Sequence, residues 1–477
     1  MLEKSIYSFG REVVTGREHI RVAVIGSKES GKTVFLTALT NHLRNHDPNL
    51  LNLNGWSVVC RKYGNENMGK IPLFQYSKVR EQLSNGDWPD NTTSLSAVQL
   101  KLHLEKGDGK KVERRNVILE LLDLPGERVA DLSMAGRSFR EWCEWLEVRF
   151  CGAEGYSPHY VEYVERVKDV ADARSILAAY KACVAKQYGD GLLTITPSVL
   201  KLTTNKEFIV GNSVSEYRKN IDSAYIGVDE NSQFAPLPSA FFDKRSAGQR
   251  SIVKAFKKAY EEYKSRIVDP ITGWLSHVNK VVYLVDVLAL LHEGPETYNA
   301  ERDFADQALR MFRRSFSDRK PIRFLQQFLG TFVRTHPDGV YVVATKADMV
   351  AGEKNHSRMK DLALRMMKPA LSSLGLSVNQ WKVRSCASVL TTDEFAAEKA
   401  LMARVQVGKD ESGEAIVKKI QYNVNDVPMD WPDSSDWMRG DKRYGFPPTF
   451  PKFDKKSDRP PPQLGLDKVI VDLLSLS

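Results

Sequence analysis

Residues 20–43 read IRVAVIGSKESGKTVFLTALTNHL, and three parts of that stretch decide the fold class together. Residues 20–25 are a short apolar run with strand character. Gly26-Ser27-Lys28-Glu29-Ser30-Gly31-Lys32-Thr33 is a glycine-bounded loop ending in lysine and threonine. Residues 34–43 then place Phe35, Leu36, Leu39 and Leu43 at helical spacing. A strand, a G-x-x-x-x-G-K-[ST] loop and a helix in that order form the phosphate-binding unit of P-loop proteins. Gly26 and Gly31 allow successive N–H groups to turn inward as a nest for phosphate oxygens. The helix start adds its partial positive charge. In this reading Lys32 reaches the β- and γ-phosphates, the Thr33 hydroxyl ligates Mg²⁺, and the backbone from Gly26 to Val34 lines the nucleotide.

Further along, residues 95–104 alternate, Gly107-Asp108-Gly109 forms a turn, and residues 116–122 are a denser apolar run. The pattern predicts an antiparallel hairpin whose second strand is buried. That strand ends in Asp123-Leu124-Pro125-Gly126-Glu127. An aspartate at a strand tip beside a phosphate loop can hold Mg²⁺ through water. Gly126 can bring its N–H to a γ-phosphate, as in the D-x-x-G loops that sense the third phosphate. Glu127 then stands where a side chain would orient the attacking water. Arg128 and Arg137 follow as candidates for an internal arginine finger. Thr92, in Trp88-Pro89-Asp90-Asn91-Thr92-Thr93, is assigned as the second Mg²⁺ hydroxyl, with Thr93 as the alternate.

The base-reading motif comes last. Residues 281–285 end at Asp286, and residues 340–344 end at Thr345-Lys346-Ala347-Asp348. An Asp348 carboxylate accepts from the N1–H and 2-amino groups of guanine, whereas adenine offers no such pair of donors. The Lys346 stem would cover the base plane. Ser385-Cys386-Ala387-Ser388 follows another strand, and the Ala387 N–H, beside Cys386, is assigned to guanine O6. The constellation therefore calls for GTP or GDP with Mg²⁺.

Composition bounds the alternatives. The chain has 477 residues, 42% hydrophobic and 27% charged, enough for a substantial core. Five scattered cysteines lack zinc-ligand spacing and read as buried thiols in a reducing compartment. No secretory leader or long apolar span is expected, which places the protein in the cytoplasm. Leu2, Ile6, Phe9 and Val13 share a helical face, so an N-terminal helix over residues 1–16 docks on the body or, in a second reading, touches the inner face of the membrane. The net charge of +9 includes Arg310, Arg313 and Arg314 on one helical face. No zinc-finger, RRM or KH pattern accompanies it, so nucleic acid is not the expected partner.

The ordered motifs resemble the YcjX-like family of bacterial P-loop GTPases, described as stress-associated. The resemblance is carried by residues 26–37, Trp88-Pro89, Asp123-Leu124-Pro125-Gly126-Glu127, Tyr283-Leu284-Val285-Asp286-Val287-Leu288 and Thr345-Lys346-Ala347-Asp348. It implies an α/β fold: a P-loop NTPase of the Ras-like GTPase type, a three-layer sheet with a large inserted helical domain and a C-terminal extension. On this reading the GTPase domain covers residues 17–134 and 274–392. A mainly helical insert covers 135–273, with helices at 138–150, 160–184 and 247–268, and an extension covers 393–477. The expected activity is slow, Mg²⁺-dependent GTP hydrolysis acting as a switch, with a protein partner bound through the insert or extension. The alternatives are a nucleotide-stabilised adaptor with negligible turnover and an ATPase.

Overall fold

The computed structural model describes residues 18–27, 29–65, 71–89, 95–107, 112–124, 131–152, 157–189, 233–243, 246–275, 277–314, 337–395, 400–409, 415–423, 426–433, 436–437, 440, 443–446, 449–453 and 458–476. They divide into two compact units. The described residues of Met1–Leu124, Val278–Leu309 and His336–Ser477 form the first, and those of Pro125–His277 and Arg310–Thr335 the second.

The first unit is built on a seven-stranded sheet in the order β2-β3-β4-β1-β5-β6-β7. These are β1 (Glu18–Gly26), β2 (Ser57–Gly64), β3 (Ser96–Gly107), β4 (Val112–Asp123), β5 (Lys280–Val285), β6 (Gly339–Ala344) and β7 (Trp381–Ser385). Strand β1 pairs in parallel with both β4 and β5, and β5, β6 and β7 continue in parallel. Every residue of β5 and β6 is buried, as parallel strands covered on both faces require. The hairpin expected from residues 95–122 is β3 and β4, with His103 opposite Asn116. Edge strand β2 has no counterpart in the sequence reading. A register shift between Cys60 and Lys62 breaks its alternation, and Val58 is its one fully buried side chain.

Alternation along β5 divides the core. Val282 and Leu284 join Phe35, Leu36 and Leu39 of the helix Lys32–Arg44 and Val469, Ile470 and Leu473 of the helix Leu466–Leu474. Tyr283 points the other way and meets Phe304 of the helix Pro295–Arg314, ring centroids 6.3 Å apart. The helix Leu466–Leu474, expected as a last helix that docks, is part of the first unit's core. Asp472, with a side chain 5% exposed, takes Lys382 at 2.6 Å and Arg384 at 2.9 Å on its two oxygens. Lys280 Nζ donates to the Leu473 carbonyl at 2.7 Å and to Ser475 Oγ at 2.9 Å, placing a cation where the helix C-terminus is negative. A small antiparallel sheet, β10-β9-β8, follows β7: β8 (Thr392–Phe395), β9 (Ala400–Lys409) and β10 (Ala415–Asn423).

The second unit is helical among its described residues. Phe139–Cys151 opens on a capping box between Ser138 and Glu141, and Ala247–Tyr263 on one between Ser246 and Gln249. The single helix expected over 160–184 is two, Pro158–Val167 and Ala173–Gly189. Asp172 accepts the Ser175 N–H at 2.9 Å and so starts a fresh helix after the break. Trp142 packs against Phe234 and Tyr260 at 5.8 and 5.4 Å between centroids. The tyrosine hydroxyls in this core are satisfied: Tyr260 donates to the Arg137 carbonyl at 3.0 Å and Tyr263 to Asp131 at 2.7 Å. Arg137 donates to the Ser133 carbonyl at 2.6 Å and lies 4.8 Å over the Trp145 ring. The unit's described residues include 131–134 and 310–314 as well as those between 135 and 273.

Two outcomes follow from this packing. Asp472→Ala should lower the first unit's stability by about 1–3 kcal/mol, because two half-exposed cations lose their common acceptor. A urea midpoint equal to wild type would reject that role. His42 is fully buried, and burial pushes its imidazole down to about 4. A depressed histidine is neutral in the folded state, so stability is full above pH 6.5 and falls as pH drops toward about 4, by roughly 3 kcal/mol at most. His42→Leu should flatten that acid limb when melting temperature is followed from pH 7 to pH 4.5.

Candidate functional site

Parallel pairing brings several loop-bearing strand ends to one edge of the sheet. Val24 of β1 is opposite Asp123 of β4, Gly26 is opposite Leu284 of β5, Val285 is opposite Ala344 of β6, and Ala344 is opposite Ser385 of β7. The phosphate loop, Asp123, the Thr345–Asp348 turn and the Ser385–Ala387 segment all start from this edge. In parallel α/β sheets, ligands bind at the carboxyl ends of the strands.

The loop has the backbone that its glycines predict. Gly31 is left-handed at φ 90°, ψ 17°, immediately before the helix Lys32–Arg44, and Glu29 is also left-handed at φ 65°. A Cβ on Gly26 would come within 2.7 Å of the Leu284 carbonyl, so no side chain fits between β1 and β5 there. Lys32 is 7% exposed, and its ammonium donates to the carbonyls of Gly26 at 2.8 Å and Ser27 at 2.5 Å. Ser30 Oγ also donates to the Ser27 carbonyl, at 2.9 Å. Thr33 is in the first turn of the helix and its carbonyl accepts from Thr37 Oγ1 at 2.8 Å. Lys28 lies outside the described residues.

Asp123 is 0% exposed, and neither carboxylate oxygen has a hydrogen-bond partner among the described residues. Burial pushes this carboxyl up to about 6, against the opposing pull of the Lys32 charge. A buried carboxylate left without donors is energetically unfavourable by itself. The donor set therefore fits a hydrated Mg²⁺, with the Thr33 hydroxyl and Asp123 as the described groups that would hold it. No cluster of three or more His, Cys, Asp or Glu side chains suited to a metal occurs among the described residues. Thr92, Gly126 and Glu127 lie outside the described residues, while Trp88 is described and donates its indole N–H to the Thr449 carbonyl at 2.7 Å.

At the other end of the edge, Asp348 is 7% exposed. Its Oδ2 accepts from the N–H of Thr391 at 2.6 Å and from the Thr391 hydroxyl at 2.8 Å. Burial raises this carboxyl above its ordinary value, with the Thr391 bonds opposing. Lys346 is left-handed at φ 57°, with its side chain half-exposed, and pairs with Asp286 at 2.5 Å, which raises its ammonium above the usual range. Thr345 donates N–H and hydroxyl to the Val285 carbonyl at 2.8 and 3.3 Å. Cys386 is buried, its N–H donating to the Ala344 carbonyl.

The Ala387 N–H donates to the Leu464 carbonyl at 2.8 Å, and Leu464 N–H returns a bond to Ala387. In this conformation that amide is committed, which corrects its assignment to guanine O6. Among the described residues no hydrogen bond is made by the following amides of Ser388 and Val389, and Leu390 N–H goes to the Pro462 carbonyl.

Two groups escaped the sequence reading, and the Lys346 partner of Asp286 was not foreseen. Thr391 carries no role in a linear motif until the strands align. Glu301 does leave a signal: it opens the buried stripe that continues as Phe304, Ala305, Ala308 and Leu309 of the helix Pro295–Arg314, where a carboxylate needs bonded partners.

The sequence model of the YcjX-like family, DUF463, matches residues 20–476, from β1 through the helix Leu466–Leu474. The chain is 25% identical over 411 residues to the Ras-like GTPase YcjX of Escherichia coli (strain K12), covering 78% of each chain. It is 24% identical over 318 residues to the Ras-like GTPase YcjX of Shewanella oneidensis, covering 60% of this chain and 61% of that one. With the match spanning nearly its whole length, this chain belongs to the YcjX-like family.

Proposed function

We propose that this protein is a Mg²⁺-dependent guanine-nucleotide-binding switch that hydrolyses GTP slowly to GDP and phosphate. The names of the two relatives, Ras-like GTPases, support the activity class. The observation that carries the reading is the shared sheet edge, with Lys32 and the unbonded Asp123 carboxylate at the phosphate loop and the Asp348 carboxylate at the end of β6.

Lys32 leaves the Gly26 and Ser27 carbonyls when phosphate oxygens replace them, and its charge then opposes the β- and γ-phosphates. The inward amides of the loop hold those oxygens without reorganising as charge shifts toward the leaving group. Bound Mg²⁺ would supply further neutralisation of the phosphate charge. Asp348, with Oδ2 held by Thr391, keeps Oδ1 for the guanine N–H groups. Gly126 and Glu127 keep their assigned roles at the γ-phosphate and the attacking water. A carboxylate at Glu127 is repelled by the triphosphate, which opposes its hold on the attacking water. A protein partner reading the switch remains part of this proposal.

Affinities for GTP, XTP and ATP test the base. Asp348→Asn should weaken GTP binding by about 2–4 kcal/mol, roughly thirty- to a thousandfold, and favour XTP, whose C2 oxygen accepts from the new amide. Wild-type protein that binds ATP as tightly as GTP would end the guanine assignment. For the phosphates, GTP with Mg²⁺ should raise the melting temperature of wild type and leave Lys32→Ala unmoved. A variant stabilised as much as wild type places the phosphates elsewhere. Phosphate release at saturating GTP separates the hydrolase from the adaptor without turnover.

A further inference from the structure

Asp286 follows β5 and caps the helix Val287–Glu293, and its two carboxylate oxygens have different partners. Oδ1 accepts the Ala289 N–H at 3.0 Å, satisfying one of the amides left over at a helix start. Oδ2 pairs with the Lys346 ammonium at 2.5 Å. With one oxygen held by the helix, the direction of the other is set as well. The side chain of Asp286 is 9% exposed and that of Lys346 48%, so the acid is the shielded member of the pair. The residue before it holds the same turn: the Val285 carbonyl accepts the N–H and the hydroxyl of Thr345 at 2.8 and 3.3 Å. Two successive residues at the end of β5 thus hold two successive residues after β6. Lys346 is left-handed at φ 57° and ψ 36°, a backbone conformation that surrounding bonds must maintain in a residue with a side chain.

We propose that Asp286 is a positioning residue for the base site, anchoring the Lys346 ammonium so that the lysine stem is already laid out when the nucleotide arrives. The inference rests on the guanine-nucleotide reading above, in which that stem covers the base plane. An ion pair with a half-exposed lysine adds little to stability by itself. Its effect is on orientation: a free lysine stem has many rotamers, and ordering it on binding costs affinity. A stem tied down beforehand avoids that cost, provided that its anchor is itself rigid. Asp286 meets the condition, because β5 is fully buried and the helix holds Oδ1. The acid touches no part of the nucleotide in this account and acts through Lys346 alone, leaving base choice to Asp348.

The test is calorimetric titration of the full chain with GTP and GDP in the presence of Mg²⁺. Asp286→Asn keeps the helix cap, since asparagine caps as well as aspartate, and removes only the charge that faces Lys346. It should weaken GTP and GDP binding about tenfold while the melting temperature without nucleotide stays close to wild type. Lys346→Met, which keeps an apolar stem and loses the ammonium, should weaken binding by a similar factor, and the double variant should be no weaker than either single one. Lys346→Arg, which can still pair with Asp286, should remain within about threefold of wild type. Additive losses overturn the proposal, since an Asp286 that merely supports the fold would act without Lys346. An arginine variant as weak as the methionine variant overturns it too. If Asp286→Asn does not fold, the two Lys346 variants decide alone, with loss in methionine and retention in arginine as the supporting pair. Wild type that fails to bind GTP removes the nucleotide reading and this inference together. Wild type that binds while Asp286→Asn matches it removes only the role of Asp286.

Discussion

Parallel pairing of β1 with both β4 and β5 is the constraint on which the site depends. Parallel neighbours point their carboxyl ends the same way, so the loops after Gly26, Asp123 and Val285 emerge together without further instruction. Strand β6 extends the edge to Thr345 and β7 to Ser385. A one-residue slip of β4 would turn Asp123 to the opposite face and remove it from Lys32. The buried hydrophobic side chains of β1 and β5 oppose such a slip. Their packing energy thereby fixes the geometry of a polar site they never touch.

The first unit holds carboxylates in unequal states of satisfaction. Asp472, at the helix Leu466–Leu474, has a cation on each oxygen, and Asp286 is paired with Lys346. Asp123 has no donor among the described residues although it is fully buried. Stability alone would replace such a carboxylate by an apolar side chain of the same size. The proposed Mg²⁺ role would supply the missing partner, and the lack of donors is what distinguishes this carboxylate from the paired ones. Asp348 stands between the two cases, with Thr391 on Oδ2.

Local grammar was legible in the sequence. The glycine loop needs two left-handed or crowded positions in fixed order, the β3–β4 hairpin declares itself by alternation and a Gly-Asp-Gly turn, and Thr345-Lys346-Ala347-Asp348 ends an apolar run. Readings that depended on tertiary placement were not legible. Thr391 lies 43 residues from the carboxylate it holds, and Tyr283 reaches Glu301 only because β5 is covered by the helix Pro295–Arg314. The committed amide of Ala387 could not be foreseen, since its acceptor Leu464 comes from a segment without periodicity. The break at Asp172 was hidden because the apolar spacing of the two helices runs on across it.

The pairing of Ala387 with Leu464, and the clamp of Lys382 and Arg384 on Asp472, carry a temporal consequence. Synthesis runs from the phosphate loop near residue 26 toward the helix Leu466–Leu474. A nascent chain that has emerged only as far as β7 contains every nucleotide motif, yet lacks the partners that hold the segment after Ser385. Contacts so far apart in sequence also form late during folding, because the intervening chain must be ordered first. The segment after Ser385 therefore gains its fixed position after the phosphate loop has been made.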